Sequence, residues 1–138
     1  MFVTTHAVVA STIAIKTGNP YIYIPFAALD HFLLDMMPHF GGKIVGNNFK
    51  IFTALDAVCG ITLFLILARY TEFSVLILFA VCFLAGWPDL VHLYQRVIDP
   101  KKMEKFQKFH CGIQKFEFPA GILIEIVIVA GCLALIFV

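Results

Sequence analysis

The sequence predicts an all-α integral membrane protein: a bundle of about five transmembrane or partly inserted helices, with an amphipathic helix on the cytoplasmic interface. Three observations carry that expectation. Hydrophobic residues make up 61% of the chain and mean hydropathy is +0.93, which suits helices dissolved in lipid rather than a soluble core. The apolar residues fall into five runs, roughly 2–15, 20–37, 50–68, 73–95 and 118–138, divided by short polar segments. Positive charge also sorts by side. With five alternating spans, Lys43, Lys50, Arg96, Lys101, Lys102, Lys105, Lys108 and Lys115 fall on one side, and only Lys16 and Arg69 on the other. The basic side is the cytoplasmic one, which puts the N-terminus in the cytoplasm of a protein of the inner, or cytoplasmic, membrane.

Each element has its own local signals. The first run is short: fourteen helical residues reach about 21 Å, against a hydrocarbon core of about 30 Å, so it is expected to enter the bilayer only partway or to pack as a half-helix. Its first ten residues hold no Lys or Arg, so the charged leader of a cleaved signal peptide is missing. Gly18-Asn19-Pro20 ends it and starts the second helix, with Asn19 as N-cap and Pro20 at the first helical position. Residues 40–48, rich in Gly and Asn, read as a loop. Asn48 and Thr71 are expected to cap the third and fourth helices. Pro25 and Pro88 predict kinks or breaks in the second and fourth.

After the fourth run, Asp99-Pro100 reads as an N-cap and first turn, leading into KKMEKFQKFHCGIQKF. Met103, Phe106, His110 and Ile113 share one face there, while the lysines fall largely elsewhere, the pattern of a helix lying in a membrane surface. His110 is expected to point inward, with Gln107 and Gln114 a turn to either side. The last helix is expected to begin at Phe118-Pro119. The whole chain, 1–138, reads as a single domain. Cys59, Cys82, Cys111 and Cys132 form no C-x-x-C pair and read as small core residues.

The most informative segment is residues 31–39, HFLLDMMPH. Ionisable side chains within lipid are costly and mark polar sites. His31, Asp35 and His39 recur every fourth residue, and His31 and Asp35 lie one turn apart on one helical face. With the spans oriented by charge, all five histidines (His6, His31, His39, His92 and His110) fall in the cytoplasmic layer. Asp30, Asp35, Asp56 and Asp89 fall there too. The opposite half of every helix is almost free of such residues. This sorting predicts one polar pocket at the cytoplasmic leaflet.

Imidazole with carboxylate suits a divalent metal, zinc being the commonest, and the number of candidates allows one ion or two. His6, His31, Asp35, Asp89 and His110 are the candidate ligands, with Asp56 and His39 as further ligands or as the acid and base of catalysis. A metal with an open position makes a hydroxide nucleophile. The basic rim of Lys101, Lys102, Lys105 and Lys108 suits a phosphate-containing or lipid substrate, or serves as ordinary membrane anchoring. A net charge of +1 without basic or acidic tails excludes nucleic acid as a partner and leaves the lipid bilayer. Glu125 reads either as a buried general base or as the partner of a snorkelling lysine. A non-enzymatic transporter or ion pathway, or a structural metal-binding membrane protein, is the alternative. Against a pathway stands the confinement of polar residues to one leaflet.

Thr5-His6, the His-x-x-Leu-Asp stretch of His31–Asp35 and Pro88-Asp89-Leu90 resemble the motifs of the membrane-bound metal-dependent hydrolases of the YdjM type. The resemblance implies metal ligands at His6, His31, Asp35 and Asp89. The paired-histidine motif of that family has its counterpart in Phe109-His110 followed by Gln114, with glutamine in the second position, and the order of the motifs differs. His31, Asp35 and His39 are also distantly similar to the His-x3-Asp ligand pattern of the all-helical zinc-dependent phospholipase C class.

Overall fold

A computed structural model describes residues 1–99 and 102–138. It is all-helical, with no named strand among the described residues. The elements are α1 (Val3–Thr17), α2 (Pro20–Asp35), the short α3 (Gly42–Val45) followed by a 3₁₀ turn (Gly46–Asn48), α4 (Phe49–Tyr70), α5 (Val75–Val97), α6 (Glu104–Ile113) and α7 (Gly121–Phe137). Two stretches are long and apolar enough to cross a membrane, Gly46–Tyr70 and Val75–Gln95; α7 is apolar but shorter. The surface agrees with that composition. Along α4 only Leu67 is buried, and Ile51, Leu55, Val58, Ile61 and Leu65 are all exposed, the condition of a helix whose surroundings are apolar.

The hub is α1, which packs against α2, α4, α5 and α7. Small residues make that possible. Ala10, Ala14, Ala27 and Ala85 are fully buried, joined by Val81 and Tyr23, so three backbones approach closely where larger side chains would hold them apart. Gly86 belongs to the same contact: a β-carbon there would lie 2.8 Å from Val3 Cγ1. Between α1 and α2, Gly18 takes the left-handed conformation (φ 59°) and its N–H bonds the Ala14 carbonyl at 2.9 Å, the glycine C-cap. Asn19 Oδ1 then accepts from Tyr21 N at 3.0 Å, so the predicted asparagine cap and first-turn proline are both present.

Other local expectations are corrected. Both α2 and α5 run through their prolines, Pro25 and Pro88, without a break. Asn48 makes no side-chain cap, because the preceding 3₁₀ turn already leads into α4. Thr71 closes α4 instead of opening α5: its hydroxyl donates to the Leu67 carbonyl at 2.7 Å, and α5 begins after Ser74. The amphipathic helix starts at Glu104 rather than at Asp99-Pro100. The Asp99 carbonyl is taken up in a turn by Lys102 N at 3.2 Å, the Gln95 amide donates to the Lys102 carbonyl, and Met103 turns through φ 59°. Pro100 and Lys101 lie outside the described residues. Met103 is exposed, while Phe106 and Ile113 are half-buried and His110 is buried. The outer face of α6 carries a Lys108–Glu104 pair at 2.6 Å, and this ammonium holds the Glu104 carboxyl below its ordinary range. α7 starts at Gly121, two residues beyond the predicted proline, where a side chain would strike the His39 backbone.

His39 is where two loops join. His39 N donates to the Phe116 carbonyl at 3.0 Å and Phe118 N to the His39 carbonyl at 3.1 Å, a parallel bridge of His39 with Glu117. It ties the segment after α2 to the segment between α6 and α7.

The start of α1 has no cap of its own. Two carboxylates from other helices replace it. Asp56 of α4 accepts from Val3 N (2.8 Å) and Thr4 N (3.1 Å), and Glu125 of α7 accepts from Phe2 N (2.9 Å) and the Thr5 hydroxyl (3.0 Å). Negative groups at a helix N-terminus satisfy the orphan donors and complement the helix dipole. Asp56→Ala is therefore expected to lower stability by about 1–3 kcal/mol, the cost of leaving buried donors unpaired, read as a loss of melting temperature in detergent. An unchanged melting temperature would mean that this capping does not hold α1.

Candidate metal centre

At the end of the bundle where α1 begins and α2 and α5 finish, five polar side chains from four helices converge. His6 comes from α1, His31 and Asp35 from α2, Asp89 from α5 and His110 from α6. His6, His31, Asp35 and His110 are buried, and Asp89 is 18% exposed. Their positions follow from local structure. His31 and Asp35 stack one turn apart on the inner face of α2. His6 lies one turn into α1, with its ring stacked on His31 at 4.1 Å between centroids. His110 is carried in by α6, whose Phe106 packs on Trp87 of α5 at 5.3 Å and whose Phe109 packs on Phe32 of α2 at 5.8 Å.

The distances are short enough for donor atoms that could share a metal ion. His110 Nε2 lies 3.0 Å from Asp35 Oδ2 and 3.9 Å from Asp89 Oδ1. His31 Nε2 lies 3.3 Å from Asp35 Oδ2, 3.8 Å from Asp89 Oδ1 and 2.9 Å from His110 Nε2. His6 Nε2 lies 3.4 Å from Asp35 Oδ1. Ligands held about 2.0–2.2 Å from one ion in a tetrahedron are about 3.3–3.6 Å from each other, and the observed separations bracket that range. Two sets of three, His6–His31–Asp89 and His31–Asp35–His110, each bring their donor atoms within 4.8 Å of one another. The group could therefore hold a metal ion.

The chemistry of the donors fits as well as their spacing. His31 Nδ1 lies 2.9 Å from the Ala85 carbonyl, which can only accept. Nδ1 therefore carries the proton, and in the neutral ring the Nε2 lone pair faces the cluster, the tautomer a metal needs. His6 Nε2 is buried and faces Asp35 without making a hydrogen bond. Asp35 and Asp89 supply carboxylate oxygens, donors that together with imidazole suit a divalent cation. Gln114 donates to Asp35 Oδ2 at 2.8 Å, orienting that carboxylate, and the Met1 amino group lies 3.0 Å from Asp35 Oδ1.

The remaining candidates stand elsewhere. Asp56 engages both oxygens with the start of α1, and His39 is outside the two metal-competent groups, its Nδ1 bonded to the Met37 carbonyl at 2.8 Å. His92 stands edge-on beside the His110 ring, 6.0 Å between centroids. Asp30 is fully buried, one residue before His31, with neither carboxylate oxygen bonded among the described residues. Glu125 is neither free as a base nor paired to a lysine: besides its bonds to α1, it accepts from Phe40 N at 2.9 Å. Two contributors have little or no sequence signal. The Ala85 carbonyl is a backbone group with no signal in the sequence, since the N–H missing at Pro88 frees the carbonyl of Leu84, four residues back, and not that of Ala85. The second is Glu125, whose role as a cap for a distant helix depends on packing alone.

Comparison with known proteins gives no match: no family model, no curated protein and no solved structure matches this chain.

Purified without chelators, the protein is expected to retain a divalent metal that His31→Ala and Asp35→Ala lose, measured by elemental analysis. Gln114→Ala is expected to weaken metal affinity by about 10–100-fold, the usual effect of removing a group that orients a ligand. Metal retained by His31→Ala and Asp35→Ala alike would place the site elsewhere.

Proposed function

We propose that this protein is a membrane-embedded, metal-dependent hydrolase acting on a phosphoester of a lipid or lipid-linked substrate, akin to the YdjM-type proteins its motifs resemble. The observation that carries the reading is the convergence of His6, His31, Asp35, Asp89 and His110 from four separate helices, in two groups of three whose donor spacings could hold a metal ion.

In this reading His31, Asp35 and His110, with His6 beside them, would hold zinc or a similar divalent ion, which when bound supplies a Lewis acid and a water of lowered pKa. The protein contributes position and charge. Ala85 fixes the His31 ring, and Gln114 fixes Asp35. Asp89, the least buried of the five, lies on the side open to the cavity described below, where it can accept a proton from an attacking water. Asp56 and Glu125 keep α1 in register so that His6 reaches the centre. The exposed lysines of α6, Lys105 and Lys108 among them, supply positive potential beside the entrance.

The same reading places the protein in a cytoplasmic membrane. α4 and α5 cross it, while α1, α2 and α7, at 15, 16 and 17 residues, reach about 22–26 Å and are inserted partway or held against the two longer helices. The end bearing the His/Asp cluster and α6 faces the cytoplasm, with the N-terminus on that side.

The test is release of inorganic phosphate from short-chain phosphatidic acid in detergent, with a chelator and then with zinc added back. Activity is expected to vanish with the chelator, return with zinc, and fall by at least about 100-fold in Asp35→Ala, in keeping with the loss of an essential group. A metal-loaded protein inactive on phosphomonoester and phosphodiester lipids alike would overturn the hydrolase reading.

A further inference from the structure

A cavity of about 440 Å³ lies between α4 and α5, and its lining includes Asp89, His110 and Gln114 of the His/Asp cluster. Elsewhere its walls are mainly apolar, with Phe49 and Phe52 of α4 facing Leu90 and Leu93 of α5. The gap has a structural origin: α4 packs chiefly on α1 and only lightly on α5. Leu90, part of that wall, is itself 45% exposed on the outer surface of α5, so the cavity lining reaches the face that lipid would cover.

We propose that this cavity holds the acyl chain of a membrane lipid that enters sideways between α4 and α5, with its phosphate headgroup at the His/Asp cluster. The proposal rests on the hydrolase reading for the identity of the headgroup, and on the cavity itself for the chain. The volume lies in the range of ligand pockets, and at about 30 Å³ for each water-sized group it has room for roughly 15 of them, the scale of one fatty acyl chain. The distribution of polarity points the same way. A sugar or a nucleotide needs polar partners along its length, whereas outside the cluster the polar lining is limited to Thr53, His92, Glu117 and Asp56, whose oxygens are already bonded to α1, in a wall otherwise mainly apolar. A ligand with one polar end and one long apolar end satisfies both parts of the lining. Entry from the bilayer also spares that chain a passage through water.

The experiment uses the full chain in phosphatidylcholine vesicles containing a small fraction of phosphatidic acid that carries a diazirine near the end of its acyl chain. After irradiation, labelled positions are mapped by peptide mass spectrometry, and metal content is measured on the same samples. Labelling is expected at Phe49, Phe52 and Leu93. It should be displaced by excess unlabelled phosphatidic acid but not by inorganic phosphate, and should fall several-fold in Ala57→Trp and in Thr53→Phe, which narrow the cavity from α4. The competition arm needs no variant, and retained metal certifies that each variant is folded. Labels confined to Ile51, Leu55 and Val58, or undiminished in both metal-loaded variants, would overturn the proposal. Displacement by inorganic phosphate as readily as by lipid would assign the site to free phosphate and overturn it too. Metal-loaded protein without cavity labels sinks the acyl-chain inference alone. Cavity labels on a protein that binds no metal support this inference and sink the metal-dependent reading.

Discussion

The arrangement depends on how the first turn of α1 is satisfied. A helix that begins inside an apolar bundle has free N–H groups and no water to take them, so another part of the chain must supply acceptors. Asp56 and Glu125 do so from α4 and α7, and together they bond Phe2 N, Val3 N and Thr4 N. These bonds fix α1 along its axis as well as in rotation. They set His6 against His31, and they let Ala10 and Ala14 sit against Ala27 and Ala85. Glu125 also bonds Phe40 N, so the same carboxylate anchors the loop that carries His39.

From that constraint follows the division of the bundle into two unlike ends. The starts of α1, α4 and α7, the finish of α2 and the last turns of α5 meet at one end, where the carboxylates, imidazoles and glutamines are gathered, and where several of their polar atoms, His6 Nε2 and both Asp30 oxygens among them, have no hydrogen-bond partner among the described residues. Toward the other end the helices touch through alanine, valine and leucine. Gathering lets polar groups inside an apolar surround meet one another; of the atoms left without a hydrogen bond, His6 Nε2 is turned toward the same cluster and the Asp30 oxygens are buried beside it. The gathering is also what makes a metal centre geometrically possible.

The candidate site is built in layers around Asp35. This carboxylate is met by His31 from its own helix, by His6 and His110 from two others, and by the Gln114 amide. Gln114, through its amide, donates to Asp35 Oδ2 and so helps to fix the orientation of that carboxylate. Asp89 stands slightly outside the group, more exposed than the rest, between the cluster and the cavity of α4 and α5.

Much of this was legible in the sequence by itself. Apolar runs and their breaks determine the helices, because an N–H group in lipid has no other partner than its own helix. The asparagine and proline at 19–20 determine where α2 starts, and the four-residue spacing of His31 and Asp35 puts both on one face. Even the inward aim of His110 is written in the periodicity of α6, since its neighbours on that face are apolar. What only the tertiary structure decided are matters of partnership across helices. Asp56, a catalytic candidate by its isolation in an apolar run, caps α1; His39, the third member of an apparent ligand triad, instead joins two loops; and a backbone carbonyl, Ala85, sets the tautomer of His31. Spacing along one helix reports which side chains share a face, but the atom each one meets is chosen by the packing of the others.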